Sequence, residues 1–179
     1  MKSLLIILII SLTAHAEDIS PSKIKELSNK ASDKGEVLEE LKIFSKTGIY
    51  DIYMEFNNFK DKPFKVGPIP TTTKIANKNA IIYTTPLVEG GSYYMLLTYD
   101  KELAVYKKYL LGRDNKVVEM VGVSTDNKNI AWTVISPNGE VSLSQEKNTM
   151  TGSEWYSVTM KDGKIIKTEK GHAKLKKKL

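Results

Sequence analysis

The sequence predicts an all-β protein: an antiparallel up-and-down barrel of about eight to ten strands, preceded by an N-terminal helical segment. Three observations carry this. From Gly48 onward apolar residues recur at every second position, the period of a half-buried strand. Turn-forming clusters interrupt that alternation at short intervals. Asn138-Gly139 and Asp162-Gly163 are the strongest hairpin signals, because two-residue primed turns need φ > 0. Between residues 48 and 172 no helical pattern offers a crossover, which rules out a parallel sheet. A flat sheet of so many strands would expose two edges, and closure into a barrel removes them.

The first sixteen residues have the pattern of a cleaved export signal. Met1-Lys2-Ser3 is a short positive start, Leu4–Leu12 an apolar run, and Ala14-His15-Ala16 a small-residue cleavage site. The run is half the length that a membrane-spanning helix needs, and Glu17-Asp18 follows it at once. Cleavage after Ala16 predicts an exported soluble chain with no transmembrane segment, in the periplasm or the medium. The absence of cysteine points to a bacterial source.

Residues 17–47 read as the helical segment. Ser20-Pro21 supplies a cap and a first-turn proline. Ile24, Leu27 and Ala31 follow at helical spacing, Asp33-Lys34-Gly35 breaks the pattern, and Glu36–Lys46 resumes it with Val37, Leu38, Leu41 and Phe44 on one stripe. The barrel is expected over residues 48–172. Its first strand places Tyr50, Ile52, Met54 and Phe56 on one face, with Asp51 and Glu55 on the other. Residues 57–70, with Pro63, Gly67, Pro68 and Pro70, are expected to form a loop. Short strands then follow over Thr71–Ala76, Ala80–Thr85, Tyr93–Tyr99, Ala104–Leu111, Val117–Ser124, Ile130–Ser136, Val141–Gln145, Trp155–Met160 and Ile165–Gly171. Residues 173–179 are left as a basic tail.

Composition narrows the chemistry. The chain of 179 residues has no cysteine, which excludes disulfides, thiolate nucleophiles and cysteine metal sites. His172 is the one histidine beyond the leader, so multi-histidine metal centres are excluded and no cofactor is expected. It lies at the end of the last strand, and no Gly-x-Ser-x-Gly elbow accompanies it. The strand carboxylates Asp51, Glu55, Glu119 and Glu154 alternate with apolar residues, as solvent-facing positions do. Gly90-Gly91 is a hairpin turn, not a phosphate loop, and Asp126-Asn127-Lys128-Asn129 lacks the glycine and final glutamate of a calcium loop. The formal net charge is +6, but the terminal run Lys174–Leu179 holds four of the lysines. With Arg113 as the sole arginine, no nucleic-acid reader is indicated. The tail is expected to be a solvated end, its sharper reading being contact with an anionic surface.

Nine tyrosines fall on predicted strands. Tyrosine joins an apolar body to a polar tip and suits the outside of a barrel or the lining of a small-molecule pocket. The expected lining is Tyr50, Ile52, Met54, Met95, Leu97, Met120, Trp132, Val134, Val158 and Met160, with the methionines suiting either an adaptable pocket or a filled core.

Gly48-Ile49-Tyr50 at the opening of the first long strand resembles the Gly-x-Trp start of lipocalins and other calycin-type barrels. The fuller run of Phe44, Gly48, Tyr50 and Asp51, with Thr98-Tyr99-Asp100 and Tyr106, is similar to a family of uncharacterised secreted bacterial domains with a lipocalin-like fold. The resemblance covers about residues 40–175 and departs in placing tyrosine where that pattern has tryptophan. Lipocalins pair the aromatic with a basic residue near the last strand, a part that Lys170 or Lys174 would play here, and Tyr50 is accordingly expected near Ile166 and Lys170. The resemblance implies architecture more than activity. The leading expectation is non-enzymatic binding of a small, mainly apolar ligand inside the barrel. The alternative is a structural or protein-interaction module of the cell envelope with a filled core, and an unrecognised hydrolase ranks last.

Overall fold

The computed structural model describes residues 19–56, 64–87, 90–126, 128–149 and 151–179. The expected signal peptide therefore lies outside the described residues. Helix α1 (Pro21–Lys30) begins as the sequence predicts: the Ser20 hydroxyl accepts from the Lys23 amide at 3.2 Å, and Pro21 occupies the first turn, where an N–H would have no partner. The second helical piece is much shorter than its apolar stripe suggests. Only Glu39–Lys42 form a helix, α2, and the chain around it is irregular. Leu41 and Phe44 are nonetheless buried, so the stripe reports burial rather than helix length.

Ten strands follow: β1 (Gly48–Phe56), β2 (Phe64–Asn77), β3 (Ala80–Pro86), β4 (Ser92–Asp100), β5 (Val105–Leu111), β6 (Val117–Ser124), β7 (Asn129–Ile135), β8 (Val141–Thr149), β9 (Gly152–Lys161) and β10 (Lys164–Lys177). Each pairs antiparallel with its sequence neighbour, and β1 pairs with β10, which closes the barrel. All-β, up-and-down and closed is thus the architecture, with its one short helix of substance at the N-terminal side.

Two segments expected to be irregular are strand. Residues 64–70 pair with β1 despite Pro68 and Pro70, because a register shift between Tyr50 and Ile52 accommodates them. Gly67 sits at that shift with φ +130, where an added Cβ would lie 2.8 Å from the Tyr50 carbonyl oxygen. At the other end of the chain β10 continues to Lys177, so most of the terminal lysines are strand residues. The added length moves the partner of Tyr50 to Leu175. Lys170 instead pairs with Glu55 at 2.7 Å, and Lys174 lies opposite Asp51, both on the far face of β1 from Tyr50.

The two predicted hairpins differ in turn chemistry. Asp162 (φ 50) and Gly163 (φ 73) are both left-handed, as a two-residue primed turn requires. At the other, Pro137 fixes its own φ negative. The chain makes a tight turn from Ser136 to Gly139 and only Gly139 (φ 79) is left-handed.

Two apolar clusters divide the inside of the barrel from its outside. Leu41, Phe44, Ile81, Tyr83, Leu97, Tyr106, Ile130 and Trp132 form the inner one. Helix α1 presses Ile24, fully buried, onto Ala80, Ile82, Leu96, Tyr109 and Leu111, the outward residues of β3–β5. Burying one such side chain contributes about 1.5–3 kcal/mol, so α1 holds mainly by this face. Ser32 bridges to Ile75 by two backbone hydrogen bonds, and the chain then turns over the barrel end to bring α2 beneath the inner cluster.

Candidate binding cavity inside the barrel

The α2 segment closes one end. Tyr83 donates its hydroxyl proton to the Phe44 carbonyl, and Tyr106 reaches the Glu40 carbonyl at 3.4 Å. Phe44 and Tyr106 pack with ring centroids 5.6 Å apart, and Tyr106 meets Trp132 edge-on at 6.2 Å. Ile81 and Leu97 have no exposure at all, so this end of the interior is filled. Gly122 faces Trp132 across the β6–β7 ladder. A Cβ there would lie 2.5 Å from the indole, so only glycine lets the ring lie flat on the wall.

Above that floor lies a charged cluster inside the barrel. Lys108 on β5 reaches Glu146 on β8 at 2.7 Å, across two intervening strands, and the Trp132 indole N–H donates to the same carboxylate oxygen at 2.9 Å. The Lys108 ammonium also stands 4.0 Å from the centroid of the Trp132 ring. Burial by itself would raise the Glu146 carboxyl. The charges of Lys108 and Lys46 and the hydrogen bonds from Lys108 and Trp132 outweigh it and hold the group below its ordinary value. Lys46 donates to Asn148 Oδ1 at 3.0 Å and to the Gly152 carbonyl at 2.7 Å. Burial pushes its ammonium down to about 8, against the pull of Glu146 and with the repulsion of Lys108. The hydroxyl of Tyr83 is raised well above its usual value, chiefly by burial, and Tyr106 to about 12 for the same reason.

The remaining interior has two unlike walls. Strand parity places Met95, Leu97, Tyr106, Met120, Trp132 and Val134 inward on β4–β7, with Tyr50, Ile52 and Met54 inward on β1. On β8 and β9, beyond Glu146, Asn148 and Trp155, the inward residues are instead Ser142, Ser144, Ser157 and Thr159, each opposite another of the set, with Ser142 and Thr159 joined at 2.9 Å. Mid-strand inward residues such as Met54, Met95, Met120, Ser144 and Ser157 are only half-buried although the barrel wall surrounds them. Toward the end away from α2, Trp155 donates to Glu169 at 3.0 Å, and Lys167 pairs with Glu169 at 3.1 Å while lying 4.8 Å over the Phe56 ring. Tyr93 is inward at this end, its hydroxyl raised to about 12 by burial.

Eight of the ten residues expected to line the interior do face it. Val158 and Met160 do not. Val158 stands opposite Leu143 and shares its face with Tyr156, which is 52% exposed, and with Met160. Both residues border an apolar groove of about 460 Å³ on the outer surface of β6–β9, with Val121, Val123, Ala131 and Leu143. The usual rule that apolar alternation marks the inward face fails on these two strands, where apolar residues point out and hydroxyls point in. Sequence reasoning also passed over Lys46, Lys108, Glu146 and Asn148. Their signal was a polar residue in phase with inward neighbours: Lys108 is two positions from Tyr106, and Glu146 two from Ser144.

Of the strand carboxylates Glu55 and Glu154 are exposed as expected, and Glu55 pairs with Lys170 on the outer surface. Asp51 pairs with Lys65 at 3.1 Å but is only 15% exposed, and one carboxylate oxygen each of Asp51 and Glu119 is buried, because neighbouring side chains cover the outer face there. His172 is on that surface too, stacked on Tyr53 with ring centroids 4.7 Å apart. Among the described residues no group of three or more His, Asp or Glu side chains is placed to hold a metal ion, and no described helix is long and apolar enough to cross a membrane. No family model matches the chain, and no relative is found among curated proteins.

Proposed function

We propose that the protein is an exported, non-enzymatic carrier of the lipocalin-like kind, which takes a small, mainly apolar molecule into the barrel from the end opposite α2. One observation supports this above the others: the interior is filled at the α2 end, yet inward residues halfway up the strands keep contact with solvent-sized space. A filled core would bury Met54, Met95 and Met120 as fully as Ile81 and Leu97. The thioether wall suits ligands of variable shape. The facing hydroxyls of Ser142, Ser144, Ser157 and Thr159 favour a molecule with at least one hydrogen-bonding group. Export is supported by the leader pattern of residues 1–16.

The neutral fluorophore N-phenyl-1-naphthylamine tests the reading. Saturable binding to the wild type, abolished by Met120→Trp and unchanged by the outward Val158→Ser, is the expected result. Loss with Val158→Ser and retention with Met120→Trp would move the site to the outer groove. That outcome would favour the second reading, an envelope interaction module, for which the exposed apolar groove on β6–β9 is the supporting observation.

A further inference from the structure

The floor of the interior carries more positive charge than it neutralises. Among the described residues, strand parity and hydrogen bonds place three charged side chains there: Lys46 from the segment that closes the barrel, Lys108 on β5 and Glu146 on β8. Toward the mouth the charges pair off, Lys167 with Glu169 at 3.1 Å and Lys161 with Glu140 at 3.7 Å. Glu40 on α2 bears on Tyr99 and Tyr106, whereas Lys46 feels the attraction of Glu146 and the repulsion of Lys108. Two ammoniums therefore share one carboxylate, and that carboxylate is bonded to Lys108.

The hydrogen bonds of Lys46 go to neutral acceptors, Asn148 Oδ1 and the Gly152 carbonyl, which leaves one of its three protons for a further acceptor. Thr73 of β2 donates to the Lys46 carbonyl at 2.7 Å while the ammonium reaches Gly152 on β9, so the side chain crosses the closed end beneath β1 and β10. Asn148 is 2% exposed, and its amide nitrogen has no hydrogen-bond partner among the described residues. A cation short of counter-charge and an amide without an acceptor are each costly when buried. Side by side, they mark a place where a negatively charged acceptor is missing. The place adjoins the open interior: the Ser144–Ser157 pair follows Glu146 up the wall, and both serines are half-buried.

We propose that the ligand is an apolar chain ending in one monovalent oxyanion, such as a carboxylate, and that it enters head first. The oxyanion sits between Lys46 and Lys108 with the Ser144 and Ser157 hydroxyls beside it, and the chain runs along Met54, Met95 and Met120 to the mouth. One negative charge brings the cluster to two ammoniums and two anions. A neutral head leaves the excess in place, and a dianion overshoots it. This inference rests on the interior-binding reading and narrows it. The uncharged dye tests the cavity by itself, so the two can fail separately.

The test is isothermal titration calorimetry with dodecanoate, 1-dodecanol, dodecylamine and dodecyl phosphate at pH 8, close to the Lys46 value of about 8. Dodecanoate should bind about tenfold or more tighter than dodecanol, the worth of a hydrogen bond to a charged group, and dodecylamine weakest. Titrations in buffers of unlike ionisation enthalpy should show dodecanoate taking up a fraction of a proton, because the new negative charge raises the Lys46 ammonium, and dodecanol taking up none. Lys46→Met should bring the dodecanoate preference over dodecanol to about one and abolish the proton uptake, while Val158→Ser on the outer face should leave both as in the wild type. Dodecanol binding as tightly as dodecanoate, with the dye still bound, overturns the anionic head and leaves the cavity. Dodecyl phosphate binding tightest overturns the single charge. A dodecanoate preference that survives Lys46→Met in a folded variant, or wild-type binding without proton uptake, overturns the assignment to this cluster. Failure of all four probes and the dye overturns both readings.

Discussion

Replacing Glu146 by Gln should destabilise the protein by about 3–5 kcal/mol, the usual cost of removing one partner from a buried ion pair. The magnitude follows from what remains. The Lys108 side chain is 11% exposed and Glu146 17%, so neither is screened as a surface pair would be. With glutamine there, Lys108 keeps its contact with the Trp132 ring but loses its counter-charge at 2.7 Å, and Lys46 loses the attraction of the same carboxylate. Glutamine keeps the shape and an acceptor for the Trp132 indole, so the loss is one of charge. Urea unfolding at neutral pH, followed by tryptophan fluorescence, gives the number. With a slope of about 2 kcal/mol/M the midpoint should fall by about 1.5–2.5 M. The double variant Lys108→Met, Glu146→Leu should recover part of the loss, because an apolar pair avoids desolvating either charge while the Trp132 N–H and Lys46 still lose the carboxylate. The carboxyl is held below its ordinary value, so its stabilisation is present above the unfolded-state carboxylate pKa and is lost as pH falls through the folded one. A Glu146→Gln loss under about 1 kcal/mol, with no coupling to Lys108, would show that the cluster is solvated and that the barrel interior has been read as too dry.

Lys46, depressed to about 8, works in the opposite sense. Its charged form is the disfavoured one, so below pH 8 it carries a penalty of about 1–2 kcal/mol after allowance for screening. That penalty lifts between pH 8 and the unfolded lysine value near 10.5. The stability difference between wild type and Lys46→Met should therefore shift toward the wild type from pH 7 to pH 10, as read by urea midpoints, and a flat difference would refute the assignment. Tyr50, 7% exposed, should cost about 3–5 kcal/mol on truncation to Ala, while Tyr53 on the outer face should cost under about 1 kcal/mol, its stacking on His172 included. Equal small losses in those two variants would mean the register of β1 is misread.

The alternation of residues from Gly48, the turn clusters and the Ser20-Pro21 cap were enough to determine antiparallel hairpins in sequence and the start of α1, because each is a local preference of backbone or turn; closure followed from the cost of leaving two edges of so long a meander unpaired. Local signals also located most of the inner face: Tyr50, Ile52 and Met54 alternate with charged or outward neighbours, and no distant contact is needed to see it. Which face of β8 and β9 points inward was decided elsewhere. Val141, Leu143, Val158 and Met160 have the apolar pattern of a core, yet the register with β7 turns them outward, because Trp132 must face Tyr106 and so fixes Ser144 as its inward neighbour. A register is a property of the pair, and one residue's shift exchanges the two faces. The charged cluster is beyond the reach of sequence for a related reason. Lys108 and Glu146 lie 38 positions apart, on strands that do not pair, and meet only because the sheet curves closed and brings opposite walls within 2.7 Å.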